Sequence, residues 1–164
     1  RIYSEEGRGT RFSVLLPRVT AIEPTAQDDA RRERHAAGML SGMSVMCIDN
    51  DARILDGMRL LLEGWGCSVE CWRGLSEIEA ANPDPPSIVL VDYHLDGENG
   101  LDVIAELRRR YGADLPAALV TADRSTELRV AAAAADIAVV NKPAKPATLR
   151  TVLARHHRML SAAE

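Results

Sequence analysis

From residue 44 onward, short apolar runs alternate with stretches in which apolar residues recur every three to four positions. The run at 45–48 is followed by a helical pattern over 52–63, and the run at 68–71 by one over 77–81. The runs at 87–91, 117–120 and 137–140 precede helical patterns over 101–110, 126–135 and 148–160. Apolar spacings near two and near 3.6 mark strands and helices respectively. Five strands alternating with five helices predict an α/β fold with a doubly wound parallel sheet. The first, third and fourth runs are apolar almost throughout, as strands covered on both faces should be. No internal repeat accompanies the alternation.

Ahead of this region the pattern is different. Residues 1–19 read as strand, Gly-rich turn and strand, with Pro17 as a stop. Residues 20–43 are polar, with a charge cluster from Gln27 to His35, and predict a linker with a helical piece around 28–39. The regular domain is therefore expected over 44–160.

Composition narrows the function classes. The chain has 164 residues, 46% hydrophobic and 27% charged, which suits one well-cored globular domain with some chain left over. A net charge of −4 gives no bulk attraction to nucleic acid or anionic lipid. The local basic group of Arg150, Arg155, His156, His157 and Arg158 reads as a solvated helix face. Cys47, Cys67 and Cys71 lack metal-ligand spacing and read as thiols rather than a disulfide, which suits a reducing cytoplasm. No run of about 18 apolar residues appears, so this sequence carries no membrane-spanning pattern.

In a doubly wound sheet the ligand site lies beyond the carboxyl ends of the strands. The first run ends in Asp49, Asn50 and Asp51, the third in Asp92, the fourth in Thr121 and Ala122, and the fifth in Asn141, Lys142 and Pro143. Acids packed together oppose one another's ionisation, and a hard divalent cation relieves that cost. A lysine opposite them suits a phosphoryl oxygen, and a small hydroxyl can donate to another. Taken singly, Asp51 is an N-cap of the next helix, Asp92 a turn acid, Thr121 a strand-end residue and Lys142 a loop residue. Their joint placement points instead to phosphoryl transfer, with Asp92 attacking in line while metal and Lys142 neutralise charge.

The same residues carry a resemblance. Cys47-Ile-Asp-Asn-Asp51, Val89-Leu-Val-Asp-Tyr-His-Leu-Asp-Gly97 with Gly100-Leu101, Leu119-Val-Thr-Ala122 and Val140-Asn-Lys-Pro143 resemble a response-regulator receiver domain of two-component signalling. The resemblance implies a flavodoxin-like (βα)5 fold with strand order 2-1-3-4-5, and phosphorylation of Asp92 by a phosphohistidine-bearing kinase or phosphotransfer domain. It also implies Mg²⁺ held by Asp49, Asp92 and the backbone carbonyl of His94, with Thr121 as switch hydroxyl and Lys142 as the lysine of the site. The family's second acid maps to Asn50, which keeps an oxygen but loses a charge, so Asp51 is a candidate to compensate. Val139 stands where the family often has a switch aromatic, leaving the Thr121 shift to carry the readout. Asp96 stands where a proline is common, and it reads as a solvated loop acid. His94 and Asp123 flank the path of the hydrolytic water and are candidates to control phosphate lifetime.

Residues 4–17 are similar to the last glycine box and closing strands of a histidine-kinase ATPase domain. A kinase tail, linker and receiver in that order imply a hybrid sensor kinase. No other nucleotide box and no phospho-accepting His box is present, so kinase activity is not expected of this sequence. No nucleic acid or membrane partner is expected, and a homodimer stays open. Two other functions compete with the phospho-acceptor: a docking module that is weakly phosphorylated because of Asn50, and a small phosphatase with His94 as general acid.

Overall fold

The structure, a computed structural model, describes residues 2–5, 7, 9–13 and 40–161. At the start, β1 (Ile2–Glu5) pairs antiparallel with β2 (Gly9–Phe12), with Ile2 opposite Phe12 and Glu5 opposite Gly9. Gly7 in the turn and Gly9 at the start of β2 take φ of +77° and +91°, a region that L side chains rarely enter. The expected extension of the second strand past residue 13 and the helical piece at 28–39 lie outside the described residues.

The second unit is built on five parallel strands: β3 (Ser44–Ile48), β4 (Ser68–Trp72), β5 (Ile88–Asp92), β8 (Ala117–Thr121) and β9 (Ala138–Asn141). Between β5 and β8 a short antiparallel ribbon, β6 (His94–Leu95) with β7 (Glu98–Asn99), precedes the next helix. The order across the sheet is β4-β3-β5-β8-β9, the expected 2-1-3-4-5 arrangement. Every residue of β5 and β8 is buried, whereas β4 alternates between exposed and buried at its start, as an edge strand does.

Helices α1 (Ala52–Glu63), α2 (Leu75–Ala81), α3 (Gly100–Tyr111), α4 (Thr126–Ala134) and α5 (Pro146–Ser161) cover both faces. The period-two alternation of the strands sorts side chains between two cores. Val45, Cys47, Leu90 and Val120 join Leu55 and Leu62 of α1 and Leu149 and Leu153 of α5. Met46, Ile48, Val91 and Leu119 join Ile78 of α2, Ile104 and Leu107 of α3 and Leu128 of α4. None of the helices is long and apolar enough to cross a membrane among the described residues.

Three features depart from the sequence reading. Leu40 and Met43, assigned to the linker, are each 1% exposed and belong to the first core. Their burial is fixed by backbone pairing, since Ser68 N–H donates to the Met43 carbonyl at 2.9 Å. The basic stretch near the C-terminus is not uniformly solvated: the Arg150 guanidinium lies 4.8 Å over the Trp65 ring, and burial lowers the His156 pKa. Residues 94–99 form a ribbon that no apolar alternation announced.

Gly100 is where this architecture meets the site. It opens α3, its N–H donates to the Tyr93 carbonyl at 2.9 Å, and Asn99 caps the helix by accepting from Asp102 N–H. A Cβ at position 100 would sit 2.5 Å from the Asp92 carbonyl oxygen and 2.7 Å from Leu119 Cδ1. Backbone on one side and core on the other leave little room to relax. Gly100→Ala is therefore expected to cost about 1–3 kcal/mol and to displace the end of β5. Urea unfolding and amide spectra check this; a variant as stable as wild type with unshifted Asp92 and Tyr93 amides would contradict it.

Candidate functional site

Four parallel strands deliver their last residues to one edge. Among the described residues, the buried polar or charged side chains are Asp49, Asp92 and Thr121, at 6%, 7% and 1% exposure. All three lie at this edge. The register pairs Ile48 with Val91, so Asp49 and Asp92 follow side by side on neighbouring strands. Two carboxylates so placed repel and lose hydration together. Lys142, just past β9, meets both: its Nζ lies 2.9 Å from Asp92 Oδ1 and 3.4 Å from Asp49 Oδ2. Partial burial by itself depresses the Lys142 pKa, but hydrogen bonding and charge from Asp92 and Asp49 outweigh it, and the net shift is upward. The lysine is held charged.

Backbone bonds fix the rest of this edge. Lys142 N–H donates to the Thr121 carbonyl at 2.7 Å, tying β9 to the end of β8. Asp123 N–H donates to Thr121 Oγ1 at 3.0 Å, which leaves the hydroxyl hydrogen available for another acceptor. Asp51 N–H donates to Asp49 Oδ1 at 2.9 Å, orienting that carboxylate. Beside the acids lies a cavity of about 260 Å³, lined by Asp49, Asp92 and Lys142 together with Ile54, Leu55 and Met58 of α1.

The other sequence candidates are placed less uniformly. The Asp51 side chain bonds to the start of α1. Its carboxylate accepts from Arg53 N–H at 2.9 Å and from the Arg53 guanidinium at 3.1 and 2.8 Å, and the Arg53 hydrogen bond lowers its pKa to about 2. Its Oδ1 caps α1, while Oδ2 pairs with the Arg53 guanidinium. Asn50 donates through Nδ2 to Asp96 Oδ1 at 2.7 Å, a contact across 46 residues that spacing could not reveal. His94 is exposed, its ring edge-on to Tyr93 at a centroid distance of 4.7 Å. Asp123 accepts from Ser125 N–H at 2.7 Å; that bond chiefly, with the charge of His94, lowers its pKa. Val139 is half-buried against the core beneath α3 and α4.

The donor set suits a particular kind of cation. Among the described residues no three His, Cys, Asp or Glu side chains converge as a metal cage. Two carboxylates supplemented by amide or carbonyl oxygens fit a small hard ion that keeps several waters, as Mg²⁺ does. These residues therefore fit the metal that the resemblance implies.

The comparisons agree with this geometry. Residues 45–154 match the response regulator receiver domain model, which is more than half of the chain. The chain belongs to the response regulator receiver family, whose members serve two-component signalling and are phosphorylated on an aspartate. It is 30% identical over 117 residues to the aerobic respiration control sensor protein ArcB of Escherichia coli K12, across 70% of this chain but only 14% of that protein. The chain thus spans about a seventh of this curated relative. The fold is similar to the Vibrio cholerae chemotaxis protein CheY4, with a TM-score of 0.63 and 21% identity over 69% of this chain and 97% of that one. A Francisella response regulator receiver domain gives a TM-score of 0.65 at 16% identity, over 73% of this chain and 99% of that one.

Removing the lysine tests the electrostatics. Lys142→Met leaves Asp49 and Asp92 buried without a counter-charge, and is expected to lose roughly 1–3 kcal/mol at pH 7 after solvent screening. Because the folded-state pKa of Lys142 is raised, the wild-type advantage is fully present below the ordinary lysine pKa. It should fade as pH rises through the higher folded value. Urea titrations across pH, with and without Mg²⁺, check this; Mg²⁺ should recover part of the loss in the variant. An unchanged stability at pH 7, or a loss that Mg²⁺ leaves untouched, would count against the arrangement.

Proposed function

We propose that Asp92 is the phospho-acceptor of this receiver in a His-to-Asp relay. The observation that carries the proposal is the single ammonium group bridging Asp92 and Asp49 at the edge of the sheet. A carboxylate beside a held lysine, a buried hydroxyl and a second carboxylate is equipped to attack phosphorus and to neutralise the charge that follows. The Asp92 oxygen forms a bond to phosphorus, the bond from phosphorus to the donor imidazole breaks, and the imidazole nitrogen takes the electron pair. Lys142 stabilises a phosphoryl oxygen, and Thr121 donates its hydroxyl hydrogen to another. Asp49, Asp92, the His94 carbonyl and Asn50 would hold Mg²⁺, which when bound supplies positive charge to the phosphoryl oxygens. The donor is a phosphohistidine-bearing kinase or phosphotransfer domain.

The same reading extends to context. The Gly-containing hairpin β1–β2 ahead of the receiver, and the likeness to a sensor protein, support a place in a hybrid sensor kinase. A cytoplasmic site of action goes with it, since the free thiols suit reducing conditions.

Acetyl phosphate or beryllofluoride with Mg²⁺ should modify wild type on one residue, and mass spectrometry should map the adduct to Asp92. Asp92→Asn should lose it. Modification at the wild-type level in that variant would refute the assignment, and no adduct at saturating Mg²⁺ would make the domain a docking module instead.

The lifetime of the phosphorylated form depends on what covers it. His94 is exposed two residues beyond Asp92, its ring held by Tyr93, where steric cover requires less than correct general-base geometry. His94→Ala is expected to speed loss of phosphate several-fold, followed by intact mass after donor removal. Slower decay would show that the imidazole assists water rather than obstructing it.

A further inference from the structure

We infer that Asp96 restores to the metal site the carboxylate that position 50 lacks. The inference rests on the proposed reading of Asp92 and Mg²⁺. Family members usually pair two acids after the first strand of the sheet; here the second is Asn50. Asp51, the neighbouring acid, is occupied by the α1 cap and by Arg53. The acid that reaches Asn50 comes from the ribbon that follows β5. Asp96 Oδ1 accepts from Asn50 Nδ2 at 2.7 Å.

The ribbon built by β6 and β7 explains how it gets there. Leu95 pairs with Glu98, so Asp96 and Gly97 form the two-residue tip, and Leu95 is anchored in the core at 8% exposure. Gly97 takes φ of +82°, which closes the turn with Asp96 at its start. The ribbon thus holds Asp96 at a fixed distance from β5, rather than on a free loop.

The consequence for the amide is chemical. An asparagine side chain has one donating end and one accepting end. With Nδ2 given to Asp96, the Oδ1 of Asn50 is the end left for a cation or for its water. Asp96 therefore does two things: it fixes the amide with its oxygen available, and it supplies the negative charge that the amide does not. A carboxylate gripping the ligand from behind raises that ligand's basicity, as outer partners of metal ligands do.

The test is a Mg²⁺ titration of the full chain by isothermal calorimetry, comparing wild type with Asp96→Ala, Asp96→Asn and the exchange Asn50→Asp/Asp96→Asn. Thermal melts confirm that each variant folds. Asp96→Ala should weaken Mg²⁺ binding roughly five- to tenfold. Asp96→Asn keeps an acceptor without the charge, and should fall between wild type and Asp96→Ala. The exchange puts the acid on the first-strand side and should return the affinity to within about twofold of wild type. Equal affinity in Asp96→Ala or Asp96→Asn and wild type overturns the inference, as does an exchange variant no better than Asp96→Ala. Phosphorylation of Asp92 by acetyl phosphate at saturating Mg²⁺ is measured on the same samples. If Asp92 is modified normally while Asp96→Ala binds Mg²⁺ like wild type, only the role of Asp96 fails. If Asp92 is never modified although Mg²⁺ binds in the predicted order, the phospho-acceptor reading fails and the role of Asp96 stands.

Discussion

One ammonium group held between two buried carboxylates organises the carboxyl edge of this sheet. The parallel register makes the pairing unavoidable: once Ile48 lies opposite Val91, the chain must set Asp49 beside Asp92. Both acids are nearly withdrawn from water, at 6% and 7% exposure. Their mutual repulsion and lost hydration must be offset locally, and the group that does so arrives from β9, across β8. Lys142 is brought into place by its own N–H, which bonds to the Thr121 carbonyl at 2.7 Å. The charge arrangement and the sheet topology are thus one constraint seen twice. On the proposed reading, a cation or a phosphoryl group arriving here would redistribute that charge, which is the physical basis for reading the site as a switch.

Much of this was legible in the chain because each strand carries its signature to its last residue. Apolar runs at β3, β5 and β8 give way abruptly to Asp49, Asp92 and Thr121, and the rule that ligands bind beyond strand ends does the rest. Helix α1 was bounded correctly because Asp51 caps it and Gly64 follows it. What stayed hidden lacked a period. The ribbon at 94–99 is too short to alternate, and Leu40 and Met43 sit in a polar stretch where two apolar residues carry no pattern. Arg150 reads as a surface cation until Trp65 is found beneath it. The Asn50–Asp96 bond joins residues 46 apart, so only the fold could reveal it. Asp51 illustrates a different case: sequence offered both a cap and a ligand, and the structure shows the cap together with an ion pair to Arg53.

Val139 shapes how a charge change at Asp92 would be felt. A ring at this place could swing between buried and exposed positions, but a β-branched valine is stiff about χ1 and sits half-buried opposite Leu119. On the proposed reading, the displacement must then pass through Thr121. Its hydroxyl has one hydrogen to donate and two lone pairs to accept with, so it can turn towards a phosphoryl oxygen without releasing Asp123 N–H. Asp123 in turn accepts from Ser125 N–H, and Ser125 caps α4 by accepting from Leu128 N–H. A chain of short polar contacts therefore runs from the hydroxyl of β8 to the first turn of α4. Each link joins residues two or three apart, so a turn of the hydroxyl at the end of β8 is felt first in the loop at 122–125 and then at the α4 cap. On that reading, the readout that an aromatic would supply at one position falls to a loop and a helix cap.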